Sequence, residues 1–443
     1  MNKSCKKIRD WVEETPFIDT HEHLLEESQR VSARLDPRLF VCNDWAYLFQ
    51  DYVAEDFIAS GMPTSELQQF LGSTATDNEK FRLVERYWKR VRHTGYGQAL
   101  RYTFQELYGQ GDLTRETYSR IAERYHDLVR PGFYSRVFKA ANVEICHVNS
   151  MQRTFMKTEQ PSLLKQDLSI LGLCRCSAAD FARVEAETDR RPASLEGWLD
   201  TIDSYFATCG PQAVAVKCQI AYSRALDFEP VTKTRAARLF VNQADRSGRF
   251  HALGPEDLKA LQDYLFRYCV AKAGDYGLPV KLHTGILASN NVMHLSRVRD
   301  NARDLCRLLQ DFPEVQFVLM HIGYPYEREF IALAKHYSNV SLDMCWSWII
   351  NPIASRHFLK EFLVTVPSHK VFTFGGDYVC AEPIVGHARI ARIGISNAIS
   401  ELVADGWIVL EEARDLIEQI MRGNALDLFP TRTQSADGGH QVG

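Results

Sequence analysis

Short apolar runs recur along the chain with helical stretches between them. The runs are Pro16 to Thr20, Val143 to Val148, Leu168 to Leu173, Ala213 to Ile220, Pro279 to Leu282, Val315 to Met320, Val340 to Met344 and Val371 to Phe374. Each is short and mostly β-branched or apolar, as expected of strands buried on both faces. Stretches with the period of a helix separate the later runs: Leu195 to Thr208, Pro255 to Tyr276, Ser296 to Asp311, Tyr326 to His336 and Ile353 to Val366. Strand-then-helix alternation implies a parallel sheet. Eight such strands predict a closed (β/α)₈ (TIM) barrel rather than an open sheet.

The exception lies after the first run. Residues 24–142 contain no convincing buried strand, but show helical patterns over Ala46 to Ala59, Asn78 to Val91, Gly97 to Tyr108 and Arg115 to Val129. The expected organisation is one barrel domain over 1–430, interrupted by a helical cap at 24–142. The polar, Gly-rich end at 431–443 is expected to be a flexible tail.

Composition narrows the class. The chain has 443 residues, 45% hydrophobic and 24% charged, which is ordinary for a globular protein. Its formal net charge of −4 lacks the basic excess of nucleic-acid binders and of polybasic membrane anchors. No stretch approaches the roughly 18 consecutive apolar residues of a membrane span. The charged N-terminus lacks a secretory apolar core. The 11 Cys are scattered without paired spacing and read as small core residues of a reducing compartment, so a cytoplasmic location is expected.

The chemistry concentrates at the ends of the runs. The first ends Asp19-Thr20-His21-Glu22-His23, with two His at i and i+2, which lie on one side of a strand. The fourth contains Lys217. The fifth ends at His283, the sixth at His321 and the eighth at Asp377. In a barrel these ends converge on one face, where active sites lie. Four His and one Asp at the ends of four runs point to a metal site rather than to isolated core histidines. His147, ending the second run, is the partial exception among the other His.

These residues carry a resemblance to the amidohydrolase superfamily, in particular its amidohydrolase-2 group, within which the chain resembles the nodulin-related branch and, more distantly, uronate isomerase. Ala213-Val214-Ala215-Val216-Lys217-Cys218-Gln219-Ile220-Ala221-Tyr222 is similar to the branch's fourth strand. Met320-His321-Ile322-Gly323-Tyr324-Pro325-Tyr326-Glu327-Arg328-Glu329 resembles its sixth-strand signature. Gly376-Asp377 with Ala381-Glu382-Pro383 resembles its eighth, and Arg422-Gly423-Asn424-Ala425 its closing helix. Asp44 to Gly61 is similar in character to the helical insertion of uronate isomerase. Arg224 departs from the branch, which has an Arg directly after the Tyr.

The resulting expectation is a divalent metal, Zn²⁺ favoured and Mn²⁺ compatible, held by His21, His23, Asp377 and His283. Such an ion lowers the pKa of bound water from about 15.7 toward about 7. The resemblance implies that Asp377 also moves the proton. His321 is expected in the second shell or as an oxyanion stabiliser. Lys217 is read either as a carboxylated bridge between two ions or as an anchor for a substrate carboxylate, and the resemblance favours one ion. Weaker substrate-binding candidates are Tyr222, Arg224, Arg175, Tyr324 and Trp346.

The function expected is a metal-dependent hydrolase of an amide, ester or lactone that bears a carboxylate. The alternatives are an isomerase of uronate type, a nonoxidative decarboxylase and a non-catalytic barrel. The expected partner is a small molecule, with no nucleic acid and no membrane; a homo-oligomer is left open.

Overall fold

The structure is a computed structural model, and it describes residues 3–33, 36, 39, 42–243 and 253–429. Eight strands follow one another in a single sheet: β1 (Phe17–Glu22), β2 (Val143–Val148), β3 (Leu164–Ser169), β4 (Ala215–Cys218), β5 (Val280–Leu282), β6 (Phe317–Met320), β7 (Val340–Asp343) and β8 (Val371–Phe372). Every neighbouring pair is parallel. Backbone bonds from Thr20 N to the Phe374 carbonyl (3.1 Å), from Asp377 N to that of His21 (2.9 Å) and from His23 N to that of Tyr378 (2.8 Å) bring the last strand back to the first. The chain is a (β/α)₈ barrel.

The local reasons follow from burial. All residues of β1 and of β4 to β8 are buried, because their outer face packs on helices and their inner face fills the barrel. Ile18, Val214, Ala215, Val318, Phe372 and Phe429 plug the end opposite the site. That packing leaves the carboxyl ends of the strands for chemistry.

Six predicted strands lie within two or three residues of their observed bounds, and β2 matches throughout. The third does not. Leu168 to Leu173 straddles the end of β3 and a helix at Leu171–Arg175, and the strand begins earlier, at Leu164. Its buried Gln166 and Asp167 disguise it as polar. Helices at Lys3–Glu14 and Pro383–Ala404 flank the barrel and were not foreseen. The segment expected as a flexible tail lies outside the described residues.

Among the described residues of 24–142 there are helices and helical turns at Glu27–Val31, Trp45–Phe49, Val53–Ala59, Thr64–Leu71, Asp77–Val91, Gly95–Tyr108, Tyr118–Leu128 and Phe133–Ala141, and no strand. The single helix expected over Ala46 to Ala59 is two pieces joined at 50–52. A capping box between Thr76 and Glu79 starts the longest of these helices. The segment has its own core, in which Phe49 meets Phe70 edge-on at 5.5 Å and Trp88 at 5.6 Å. Each buried aromatic of this kind contributes about 1.5–3 kcal/mol. The segment docks through helix Gly95–Tyr108 on helix Pro383–Ala404. There a Cβ at Gly386 would lie 1.8 Å from the Ala99 carbonyl oxygen, so only glycine allows the approach. Among the described residues no helix is long and apolar enough to cross a membrane.

Candidate metal centre

The tips of β1 and β8 build the centre of the site. His21 Nε2 lies 3.1 Å and His23 Nε2 3.3 Å from Asp377 Oδ1. Asp377 reaches this place from a left-handed backbone, with φ +65°. The preceding Gly376 packs against β1: a Cβ there would meet Glu22 Oε1 at 1.8 Å, so the buried Glu22 carboxyl would have to shift. Glu22 Oε2 in turn accepts from Tyr378 N at 2.5 Å, which ties the β8 loop to β1. His321 (φ +61°), Ile322 (φ +50°) and Trp346 (φ +65°) are also left-handed, at the ends of β6 and β7. Such conformations are costly for branched and aromatic residues and cluster at functional sites.

The remaining strand ends complete it. His321 Nε2 is 3.8 Å from Asp377 Oδ2 and 3.0 Å from His283 Nδ1. His321 Nδ1 faces the Cys345 carbonyl at 2.9 Å, and His283 Nε2 faces that of Ile286 at 2.9 Å. A carbonyl can only accept, so each ring carries its proton there. Two imidazole lone pairs therefore face each other at the centre. His23 follows the same rule, with Nδ1 on the Asn149 carbonyl at 2.8 Å. Lys217 Nζ stands 3.1 Å from His21 Nε2.

Electrostatics agree with a ligating state. Burial, with help from Lys217, lowers His21 to about 4, and burial lowers His321 to about 3. Burial alone would raise the Asp377 carboxyl, but the imidazoles of His21, His23 and His321 beside it hold it well below its ordinary value. Neutral imidazoles and an ionised carboxylate are the forms that bind metals. His21, His23 and Asp377 form one cluster with metal-ligand spacing, and His321, Cys345 and Asp377 a second. This donor set fits a divalent cation.

Beside the centre is a cavity of about 480 Å³. Of the residues singled out from sequence, His23, His283, Lys217, Asp377, Tyr222 and Arg175 line it. Arg175 is held by two bonds to the buried Asp180, at 2.6 and 2.9 Å. The structure places three other candidates elsewhere. Arg224 is paired with Asp263 and Asp227. Tyr324 accepts from Asn351 through its hydroxyl at 3.3 Å. Trp346 is buried, stacked on Tyr52 at 4.9 Å and edge-on to His321 at 5.4 Å. It backs the site rather than walling the cavity.

Sequence reasoning missed what the helical segment brings. Gln50, Asp51, Tyr52 and Glu55 all line the cavity. Tyr52 donates to the Asp377 carbonyl, and Asp51 accepts from Val379 N at 3.4 Å. The available signal was the run of polar residues Gln50-Asp51 interrupting an otherwise apolar helical pattern. Glu55 accepts from Ser289 N at 2.6 Å, joining this segment to the loop after β5. Burial pushes the Glu55 carboxyl from 4.5 up to about 7. A folded-state value above the unfolded one gives stability that is full below about 4.5 and is lost as pH rises through 7. Glu55→Gln is expected to flatten that part of the stability curve, and a denaturation series across the interval in which variant and parent decline alike contradicts this.

Comparison with known proteins fits this geometry. Residues 211–431, about half of the chain and carrying every strand end from β4 to β8, match the amidohydrolase family model. The chain belongs to the amidohydrolase family. A stretch of 248 residues is 29% identical to Protein fluG of Emericella nidulans, covering 53% of this chain and 28% of that protein. The chain thus spans little more than a quarter of that relative's length. Among solved structures, this amidohydrolase superposes on uronate isomerase from Thermotoga maritima with a TM-score of 0.76 at 15% identity, over 97% of this chain and 98% of that one. Glucuronate isomerase from Caulobacter crescentus gives 0.73 at 16% identity, over 96% and 93%. A protein from Lactobacillus casei described as a metal-dependent hydrolase gives 0.65 at 16%, over 95% and 96%. At these identities the likeness establishes the shared fold. The amidohydrolase family implies a divalent metal, and the donor set at the strand tips fits one.

Proposed function

We propose that this amidohydrolase is a hydrolase that cleaves a C–N or C–O bond of a small, carboxylate-bearing amide, ester or lactone. One divalent ion, Zn²⁺ favoured and Mn²⁺ compatible, would be held by His21, His23 and Asp377. The observation that carries this reading is the convergence of two imidazole nitrogens on one carboxylate oxygen, at 3.1 and 3.3 Å, beside a cavity that His23 and Asp377 line. When bound, such an ion makes water acidic near neutral pH and polarises a carbonyl oxygen.

The protein's own groups do the rest. Asp377 Oδ1 lies between His21 and His23, while Oδ2 faces His321 at 3.8 Å. One oxygen can stay with the ligands while the other takes a proton from the attacking water and passes it to the leaving nitrogen or oxygen. Lys217 Nζ offers an N–H toward the cavity for a substrate carboxylate or a developing oxyanion. Leu39, Met151, Leu171 and Val379 give the cavity apolar walls. His283 and His321 present the facing lone pairs at which a second ion would sit, so metal stoichiometry decides the count. We further propose that the cap and the barrel, 1–430, work as one unit, because Gln50, Asp51, Tyr52 and Glu55 line the same cavity as the strand ends.

Aldose–ketose isomerisation is the second reading. It draws on the likeness to two uronate-type isomerases, which extends over the helical segment as well as the barrel. A panel of amides, esters, lactones, uronates and aromatic acids, run with added Zn²⁺ or Mn²⁺, separates the readings. Chelator-sensitive hydrolysis is expected. Ketose formation from a uronate, or release of CO₂ from an aromatic acid, with no hydrolysis anywhere in the panel, overturns the hydrolase reading.

A further inference from the structure

Beneath the centre lies a charged pair that the proposed chemistry does not use. Asp167 on β3 and Lys281 on β5 are both without exposed surface, and both Asp167 oxygens lie 2.9 Å from Lys281 Nζ. The ammonium has three protons. Besides Asp167 it meets the Thr20 carbonyl at 2.7 Å and His147 Nδ1 at 3.2 Å, so each proton has an acceptor. The Phe429 ring, 4.8 Å from Nζ, closes the remaining side. Lys281 thus fixes the Asp167 carboxylate in place.

The other face of Asp167 points at the centre. Its Oδ2 is 3.9 Å from His21 Nδ1. The four imidazoles of the site differ in one respect. His23, His283 and His321 each have a backbone carbonyl at 2.8–2.9 Å from the ring nitrogen turned away from the centre. His21 has none, and its buried Nδ1 lacks a hydrogen-bond partner. Lys217 Nζ, which can only donate, stands 3.1 Å from His21 Nε2, so with Nε2 as the ligating nitrogen the proton of the neutral ring belongs on Nδ1. A buried N–H needs an acceptor. Asp167 Oδ2 is the carboxylate that stands before it, short of hydrogen-bonding range by about 1 Å.

We infer that Asp167 is a positioning residue for the metal centre: its carboxylate, fixed by Lys281, accepts the Nδ1 proton of His21 and thereby aims the Nε2 lone pair at the ion. This rests on the reading of His21 as a ligand. Partners of this kind set ring orientation and ligand basicity, and losing one typically weakens metal binding by about 10–100-fold. A purely structural role would look different, because Asp167 would then serve only to neutralise Lys281.

The test titrates Zn²⁺ into the metal-depleted full chain against a chromophoric chelator. Three variants are compared with the parent: Asp167→Asn, Lys281→Met and the double variant. Asp167→Asn and the double variant are both expected to bind about 10–100-fold more weakly. Lys281→Met, which keeps the carboxylate, is expected to hold Zn²⁺ better than either. A double variant that binds like the parent overturns the inference, since removing the charge imbalance would then have cured the defect. Should the variants not fold, a crystal structure of the zinc-loaded parent decides. The Nδ1 to Oδ2 distance is expected to close to about 2.7–3.2 Å; a gap that stays at 3.9 Å overturns the inference. A parent chain that binds no Zn²⁺ at all overturns the ligand reading on which it rests, an outcome distinct from either of these.

Discussion

Asp377→Asn is expected to lower turnover by about 10⁴-fold and to weaken metal binding by about 100-fold. The substitution keeps size and shape, so the left-handed turn at φ +65° and the bond from the residue's own N–H to the His21 carbonyl can persist. What changes is chemistry. The carboxylate offers lone pairs to whatever sits between His21 and His23, and a second oxygen toward His321. An amide has one accepting oxygen, and its NH₂ can only donate. Either orientation of Asn therefore loses a ligand oxygen or the proton acceptor. Steady-state kinetics on the best substrate of the panel, with metal affinity measured in parallel, checks this. A variant within tenfold of the parent in both would contradict the assignment of Asp377.

Arg30→Met is expected to cost about 3–5 kcal/mol of stability. Arg30 is 2% exposed and Glu382 is fully buried, and Nη2 donates to Glu382 Oε1 at 2.8 Å and to the Tyr125 hydroxyl at 3.1 Å. The guanidinium also lies over the Tyr47 ring at 4.9 Å and the Phe133 ring at 5.7 Å. Removing the cation strands the Glu382 carboxylate in a low-dielectric interior. Glu382 also accepts from Cys380 Sγ, within the same loop that carries Asp377, so the loss should reach the site as well as the cap. Pairing Arg30→Met with Glu382→Leu removes both charges and is expected to recover much of the stability. Urea denaturation measures both variants. A loss under about 1 kcal/mol in the single variant, or a double variant less stable than the single, runs against this account of how the cap is fastened.

The two chemical poles of the site were legible because their logic is local. His21 and His23 share a face by strand period, and Gly375-Gly376-Asp377 marks a strand tip where a backbone must pass close to Glu22. The barrel was legible from the recurrence of short buried runs. What was hidden is what depends on distant partners. β3 looked polar because the charge of Asp167 is met by Lys281, 114 residues away. Arg224 looked like a ligand-binding cation because its partner Asp263 lies on a helix whose neighbours no local pattern reveals. Asp51, Tyr52 and Glu55 reach the cavity only because the helical segment docks on helix Pro383–Ala404, through close contacts such as that of Gly386 on Ala99. His283 and His321 were expected as ligand and second shell. The structure sets them lone pair to lone pair, with His321 the one within 3.8 Å of Asp377.

The central claim is that His21, His23 and Asp377 hold a divalent ion. Elemental analysis of metal per chain, in the parent, His21→Ala and Asp377→Ala, tests it most directly. The account predicts close to one ion per parent chain and loss of that ion in both variants. Unchanged metal content and turnover in both variants would contradict it.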